Sequence, residues 1–417
     1  MSSTRTRRAG IVGTVLLATV VAGCSAVPSS QPAGTSSSQA PAGTGTSAPD
    51  ESPTTSPSPT VNPVSLEANV EDGASKVKVD TVVAVRAAEG TLDKVKLTYS
   101  GVDSRGRSQK GTVKGELNSD RTAWTAADRL EPSATYKLAI TGLSADEQPT
   151  TKTASFSTQK LTLDEQTYPT LYPQPDSKVG VGMPVVLTLD VPVRDKAAFE
   201  KKLRVTTSPK QAGSWNWLSD TEARFRPKTY WKPGTKVEVD ADLNSVPAGG
   251  GIYGQQSART SFTVGRSLVT KVDLDSDVAK VYRDGTLVRT IYVSGGKTGW
   301  ETRSGTKLIM AKEYNKKMTN EMIGAEEDYS LTAKYALRIT NSGEFLHSAP
   351  WNSAHFGRRN ASHGCVGMST SDSGWLYENT LIGDPVETTG TSRSTELGNG
   401  WGDWNLSYQQ YAKGSAL

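Results

Sequence analysis

The residues of this chain best suited to chemistry are a cysteine and the histidines just before it. Only two of the 417 residues are cysteine and three are histidine, and all three histidines come shortly before Cys365. A thiol attacks only as the thiolate, so its ordinary pKa of about 8.5 must be lowered or its proton removed by a nearby base. An imidazole can accept that proton and later return it to a leaving amine. The segment therefore predicts that Cys365 is a nucleophile assisted by a histidine.

The residue pattern leaves the choice of histidine open. His363 is two residues before Cys365, so both side chains would point to the same face of an extended strand. His347 is 18 residues before Cys365, far enough to return on a neighbouring strand. His355 is a third candidate. Gly364 lets the backbone approach a substrate closely, and the N–H groups around it and Cys365 are candidates for an oxyanion hole.

Other interpretations of the same residues remain open. Three histidines and a cysteine could bind zinc, although the close pairs typical of structural zinc sites, C-x-x-C or H-x-x-x-H, do not occur. Cys365 could also be an inert buried thiol, and His347 could be a core histidine with satisfied hydrogen bonds. Because Cys365 is the only cysteine outside the N-terminal segment, an intramolecular disulfide in the folded part is excluded.

The N-terminal segment has the features of an export signal. Arginines at 5, 7 and 8 precede an apolar run at 11–21 that is too short to span a bilayer. The run ends in Ala22-Gly23-Cys24, which resembles the lipobox of bacterial lipoproteins, although an ordinary signal peptide with a chance cysteine is the alternative. We expect a signal peptide at 1–23, lipid on Cys24, and attachment to the outer face of the cell membrane.

The residues that follow are organised as a tether and three strand-rich blocks. Residues 24–62 are nearly all Ser, Thr, Pro, Gly and Ala and predict a flexible tether. In 63–159 and 160–265, short alternating segments, among them 77–79, 94–99, 136–140 and 236–241, predict two immunoglobulin-like β-sandwiches. A shared pattern around Asp120–Leu138 and Asp220–Val237 supports a tandem repeat.

The third block, 266–390, contains the candidate site. Strand-like runs flank Asp284-Gly285, a strong hairpin signal. A short helix should follow the cysteine, with Ser369 or Ser371 as its N-cap. The tail, 391–417, carries four aromatic residues and is predicted to pack against this block. The net charge of +4, from 47 basic and 43 acidic residues, comes with no basic stripe interleaved with aromatics, which argues against nucleic-acid binding.

The run Ser362-His363-Gly364-Cys365, preceded by His347-Ser348-Ala349-Pro350-Trp351, resembles the active site of the L,D-transpeptidases, whose catalytic domain is of the YkuD type. The resemblance covers about 266–390. It is greatest to the mycobacterial-type members, which also carry a lipobox or membrane anchor and tandem immunoglobulin-like domains. The fold class expected is mainly β: two β-sandwiches, then a β-rich catalytic domain with a short helix and a packed C-terminal tail.

The resemblance implies a mechanism and partners. Cys365 would attack a peptidoglycan stem tetrapeptide between diaminopimelate and D-alanine, and a second stem would resolve the thioester into a 3→3 cross-link. His347 would be the base, held by the carbonyl of Ser348, and His363 and Gly364 would shape the surroundings of the nucleophile. No cofactor or metal is implied. Donor and acceptor stem peptides are the expected partners, with β-lactams, especially carbapenems, as covalent inhibitors.

The family pattern also implies residues that contact the substrate, namely Tyr329, Trp351, Ser362 and Met318. Two positions depart from it. Gly367 stands where the family usually has Asn or Arg, and the Thr-Pro-x-Gly signature is replaced by Thr302-Arg303-Ser304-Gly305. The alternatives are an L,D-carboxypeptidase or wall hydrolase, in which water resolves the thioester, and a non-catalytic wall-binding lipoprotein.

Overall fold

The structure is a computed structural model, and it describes residues 62–417 except 323, 325, 327 and 329. The expected signal peptide, Cys24, nearly all of the tether and Tyr329 lie outside the described residues. Within the described part, no helix is both long and apolar enough to cross a membrane.

The first block consists of two four-stranded antiparallel sheets with strand orders β1-β2-β6-β5 and β4-β3-β7-β8. Buried and exposed residues alternate along β7, as expected for a strand with one face in a core. Tyr136 and Phe156 stack at the centre of that core. The strands are β1 (Ser65–Ala68), β2 (Ala84–Ala88), β3 (Gly90–Val102), β4 (Ser108–Val113), β5 (Gly115–Leu117), β6 (Ala123–Ala126), β7 (Ala134–Ser144) and β8 (Pro149–Ser157).

The second block has two larger sheets, β10-β12-β15-β14 and β11-β19-β16-β13, and a small sheet, β17-β18-β9. Its core includes the fully buried Trp231 and Phe199, the latter on helix α1 (Lys196–Glu200). The strands are β9 (Gln166–Thr167), β10 (Pro169–Tyr172), β11 (Ser177–Val179), β12 (Val185–Leu189), β13 (Leu203–Ser208), β14 (Gly213–Trp217), β15 (Glu222–Pro227), β16 (Lys236–Ala241), β17 (Pro247–Gly249), β18 (Ile252–Gly254) and β19 (Ala258–Val264).

The third block is a nine-stranded mixed sheet in the order β23-β28-β20-β21-β22-β27-β26-β25-β24. Helix α2 (Thr370–Asn379) packs against β25 and β26, and helix α3 (Tyr408–Ala412) lies in the tail. The strands are β20 (Leu268–Asp273), β21 (Val278–Arg283), β22 (Thr286–Ser294), β23 (Gly305–Leu308), β24 (Ala311–Thr319), β25 (Ser330–Arg338), β26 (Phe345–Ser348), β27 (Val366–Met368) and β28 (Pro385–Thr389).

Most of the local predictions are confirmed. The hairpin turn at Asp284-Gly285 joins β21 to β22, and Ser369 is the N-cap of α2, its Oγ accepting the N–H of Asp372 at 3.0 Å. The mainly β fold class is confirmed as well. The strand predicted at 77–79 is wrong, because Val77 makes only an isolated bridge to Thr158 before the chain turns. The exact domain boundaries stay predictions.

The C-terminal tail is packed, but its aromatic residues do not pack on the predicted partner. Trp401 stacks on Tyr172, with ring centroids 5.6 Å apart. Trp404 and Tyr411 lie on either side of the buried guanidinium of Arg226, 4.5 and 4.4 Å from it. All these contacts are with the second block, where the guanidinium of Arg226 attracts the aromatic faces of Trp404 and Tyr411. The tail reaches the catalytic block mainly through polar side chains.

Candidate active site

A cavity of about 380 Å³ opens on the catalytic sheet where β26 and β27 lie side by side. Six of the side chains predicted for the site line it: Met318, His347, Trp351, Ser362, His363 and Cys365. Ser348 and Gly364 are directly adjacent in the chain, while Tyr329 is outside the described residues. Cys365 is partly exposed and lines the cavity, which argues against the inert buried thiol considered above.

The register of two strands brings His347 and Cys365 to one cavity. Strands β26 and β27 are parallel, and His347 is the partner of Gly367. Paired residues of a sheet point to the same face. Cys365 lies one residue before β27 begins, and it lines the same cavity as His347 and Gly367.

The segment just before the cysteine is a turn rather than the extended strand assumed for His363. Ser362 Oγ donates to the carbonyl of Cys365 at 2.6 Å and accepts the N–H of Gly364 at 3.1 Å. Gly364 adopts φ +113°, a conformation that strongly favours glycine. The turn therefore changes the direction of His363, and the N–H of Gly364 is engaged by Ser362 and does not point to a substrate.

His347 is held in one orientation by the backbone. Its Nδ1 lies 2.8 Å from the carbonyl oxygen of Ser348, and a carbonyl can only accept, so Nδ1 carries the proton and Nε2 is the free base. The ring stacks on Trp351 with centroids 6.1 Å apart. Ser348 Oγ is in turn bonded to Thr370 Oγ1 at 2.7 Å, at the start of α2. Burial lowers the pKa of His347, opposed by the bond to Ser348, which favours the neutral imidazole.

The thiol of Cys365 is protonated at rest. Burial raises its pKa to about 12, opposed by a hydrogen bond from the backbone N–H of Phe345. The thiol donates to the carbonyl of Gly343 at 3.7 Å between Sγ and O. Neutral thiol and neutral imidazole therefore face the cavity together, and attack requires the proton to be removed during the reaction rather than beforehand.

The other two histidines are less suited to act as the base. His363 lies edge-on to Trp300, with centroids 5.2 Å apart, at the cavity wall. His355 contacts Arg359 through both ring nitrogens and is not among the residues lining the cavity. In the described part of the chain, no three His, Cys, Asp or Glu side chains are grouped to hold a metal ion.

Residues that the sequence did not single out support this site. The buried hydroxyl of Thr302 donates to the carbonyl of Gly364 at 2.8 Å and accepts the N–H of Gly296 at 2.9 Å. Thr302 opens the altered signature, so the motif comparison could have identified it. Glu344 is buried beside Gly364 and pairs with the buried Lys307, and no spacing rule in the sequence points to these two charges.

Comparisons with known proteins are consistent with this geometry. Residues 269–388 match the L,D-transpeptidase catalytic domain, YkuD, and residues 74–247 match a bacterial Ig domain. L,D-transpeptidase 2 of Mycobacterium tuberculosis is 33% identical over 360 residues, which cover 84% of this chain and 85% of the relative. L,D-transpeptidase 5 of the same species is 31% identical, covering 83% and 76%.

A solved structure, LD transpeptidase LdtMt1 in complex with imipenem, is 32% identical and aligns with 53% of this chain and 97% of its own, with a TM-score of 0.46. The sequence relationship to the mycobacterial enzymes extends through the Ig-like blocks and the catalytic block alike. It is long enough to establish that this chain belongs to the L,D-transpeptidase family and is a peptidoglycan L,D-transpeptidase.

Proposed function

We propose that this enzyme forms 3→3 cross-links through a thioester on Cys365, with His347 as the base. The observation that supports this most directly is the cavity that the two side chains share, together with the bond that leaves Nε2 of His347 unprotonated. A neutral thiol beside a neutral imidazole is suited to attack with simultaneous proton transfer.

In the first half-reaction, Sγ of Cys365 attacks the carbonyl carbon between diaminopimelate and D-alanine of the donor stem. The S–C bond forms, the C–N bond breaks, and the thiol proton passes through Nε2 of His347 to the nitrogen of D-alanine. In the second half-reaction, the side-chain amine of another stem attacks the thioester and loses a proton to His347. The C–S bond then breaks and that proton returns to sulfur.

The residues proposed to contact the stem peptide surround this pair. Trp351 is 49% exposed and lies beside the His347 ring, where it can cover the apolar part of a bound peptide. Met318, near the end of β24, lines the same cavity. Tyr329 is proposed on the family pattern alone. Ser362 acts through the turn that it closes.

We also propose that the enzyme works outside the cell, held to the membrane by lipid on Cys24. The residues that support this are the arginine-rich start, the short apolar run and the small residues before Cys24. Replacing Cys24 (Cys24→Ala) should release the protein from the membrane fraction of expressing cells. An unchanged membrane fraction would contradict the lipid anchor and leave the catalytic proposal untouched.

Covalent inhibition follows from the same chemistry. The strained carbonyl of a β-lactam is an acyl donor for a thiol, so carbapenems should acylate Cys365 in place of the stem peptide. Attack by the same base-assisted thiol would open the ring and leave a thioester.

The product of purified enzyme and tetrapeptide tests the proposed reaction. We expect a dimer whose mass equals two tetrapeptides less one D-alanine, and no dimer from the Cys365→Ala variant. A tripeptide without dimer would show that water is the acceptor and would identify a carboxypeptidase. If folded protein forms neither the dimer nor the tripeptide, the result would support the non-catalytic wall-binding alternative.

A further inference from the structure

A cluster of buried charges lies directly behind the nucleophile and has no part in the reaction described above. Glu344, Lys307 and Arg303 are 4%, 1% and 8% exposed. Both amine and guanidinium contact the same carboxylate: Arg303 Nη1 is 2.9 Å from Glu344 Oε1, and Lys307 Nζ is 3.4 Å from Oε2. Burying charges is costly unless they are paired, so this arrangement needs a reason.

The backbone on either side of Glu344 contacts the sulfur. The carbonyl of Gly343, one residue before, accepts the thiol of Cys365, and the N–H of Phe345, one residue after, donates to it. The backbone of Glu344 is fixed as well, because its N–H donates to Thr340 Oγ1 at 2.8 Å and its carbonyl accepts the N–H of Ile339 at 3.0 Å. Glu344 therefore lies between the two backbone groups that contact the sulfur, and the ion pairs of its carboxylate add a further constraint on this segment.

The chain segment that holds this carboxylate also holds the turn before the cysteine. Arg303 contacts Glu344 Oε1 through its backbone N–H, at 3.2 Å, as well as through its side chain. The preceding residue, Thr302, donates to the carbonyl of Gly364. Residues 302 and 303 thus connect the two pieces of backbone that meet at Cys365. A proline, which the family usually has at position 303, has no backbone N–H and no charge.

The outer end of the cluster is attached to the C-terminal tail. Arg303 Nε is 2.6 Å from Glu396 Oε2, and Thr391 Oγ1 donates to the carbonyl of Thr302 at 2.7 Å. The side-chain amine of Lys307 completes the cluster by donating to the carbonyl of Arg303. The tail therefore supports the nucleophile indirectly, through the segment 302–303.

We infer that Glu344, clamped by Arg303 and Lys307, is a positioning residue that fixes the backbone contacts of the Cys365 sulfur for transpeptidation. This inference rests on the proposed role of Cys365. It assigns a use to the substitution of arginine for proline in the Thr-x-x-Gly segment. The charges also act on the thiol: Glu344 raises the pKa of Cys365 and Arg338 lowers it, after the larger effect of burial. The titratable and cationic groups that line the cavity together with the thiol are Lys316, Asp328, Arg338, His347 and His363.

The two charges predict opposite effects on the reactivity of the thiol. Glu344→Gln removes the negative charge and should lower the pKa of Cys365, which raises its alkylation rate by iodoacetamide at pH 8. Arg303→Met leaves Glu344 less neutralised, so alkylation should become slower. The double variant, with neither charge, should return towards the wild-type rate. A cluster that merely loosens on mutation would raise the rate in both single variants.

Transpeptidation should respond differently from alkylation. In both single variants we expect kcat with the tetrapeptide to fall about 10- to 100-fold, because displacement of reacting groups by about 1 Å has effects of this size, while KM changes less than about threefold. Arg204→Met, which removes an exposed arginine paired with Asp240 in the second block, is the matched control and should leave both rates unchanged. Circular dichroism and Tm establish that each variant is folded.

Three results would overturn the inference. The first is a kcat of both folded single variants within about twofold of wild type, and the second is alkylation rates that move in the same direction in both. The third is a loss of kcat only in proportion to the loss of folded protein. If wild-type enzyme forms no cross-link at all, the proposed function fails first, and the alkylation rates still test the coupling of the cluster to Cys365.

Discussion

His347 and Gly367 are partners across the parallel strands β26 and β27. A Cβ at position 367 would lie 2.9 Å from the Cβ of Ala349, closer than two carbon atoms pack without a shift. The strand that carries the nucleophile can therefore approach the end of the histidine strand closely only because residue 367 has no side chain. The departure from the usual Asn or Arg is thus coupled to the packing of Ala349.

Adding a methyl group at this position should disturb the packing of the two strands. We expect Gly367→Ala to lower the free energy of unfolding by about 1–3 kcal/mol, the range for overpacking a buried site. The double variant Gly367→Ala/Ala349→Gly removes the Cβ of Ala349, which the new methyl group would contact. Its free energy of unfolding should therefore be close to that of Ala349→Gly alone. Urea unfolding measures all three. Equal stability of Gly367→Ala and wild type would show that the strands adjust freely.

Removing the proposed base should affect turnover far more than folding. We expect His347→Ala to reduce kcat by about 10²–10⁴-fold, the usual contribution of a general base. His363→Ala is the comparison, because His363 lines the same cavity but contacts Trp300, and we expect a loss below about tenfold. Steady-state kinetics with the tetrapeptide decide between them. A larger loss of kcat for His363→Ala than for His347→Ala would show that His363, and not His347, is the base.

The raised pKa of the Cys365 thiol should make the enzyme less stable in alkaline solution. The pKa of Cys365 is raised to about 12 in the folded protein, above the ordinary value of about 8.5. Unfolding therefore releases a proton between these pH values, and the free energy of unfolding should fall as pH rises from about 9, by at most about 1.4 kcal/mol per pH unit from this group. Below about pH 8 the thiol is protonated in both the folded and the unfolded chain, so this decline in the free energy of unfolding has not begun.

Cys365→Ala provides the control for that measurement, because the variant cannot release this proton. Denaturant unfolding between pH 8 and 10.5 should show a shallower decline for the variant than for wild type. Parallel declines would mean that the thiol is not perturbed.

The tail should contribute strongly to stability through one tyrosine. Tyr411 is fully buried, and its hydroxyl donates to the carbonyl of Arg224 at 2.9 Å, with Asp403 Oδ1 at 3.2 Å. We expect Tyr411→Ala to destabilise the protein by about 3–5 kcal/mol, as for other buried aromatic residues. The matched variant Tyr411→Phe keeps the ring and should lose about 1–3 kcal/mol through the unsatisfied partners. If both variants have the same free energy of unfolding in urea as wild type, the contact of Tyr411 with the second block does not stabilise the protein.

The sequence predicted those parts of the site that depend on local spacing. Cys365 was identified because cysteine and histidine are rare in this chain and are grouped near it, whereas the choice of His347 as the base came from the family resemblance. The orientation of His363 could not be predicted in this way, because it depends on the hydrogen bonds by which Ser362 closes the turn. The prediction for His363 assumed an extended backbone, whereas residues 362–365 form a turn.

Side-chain interactions between distant segments could not be predicted from the sequence. Glu344 and Arg303 are ordinary charged residues in the sequence, and only the fold shows that they are buried together. The four aromatic residues of the tail predicted packing on the catalytic block. No sequence pattern shows that Arg226, far earlier in the chain, presents a buried guanidinium to Trp404 and Tyr411 instead. Contacts between residues this far apart in the sequence can be identified only from the tertiary structure.

The intact mass of the enzyme during reaction with a stem tetrapeptide tests the central claim most directly. The account predicts a wild-type adduct equal to the tetrapeptide less D-alanine, located on Cys365 by peptide mapping, which decays as the side-chain amine of a second tetrapeptide converts it into dimer. It predicts no adduct on Cys365→Ala. An adduct on another residue, or cross-linked product from the Cys365→Ala variant, would contradict it.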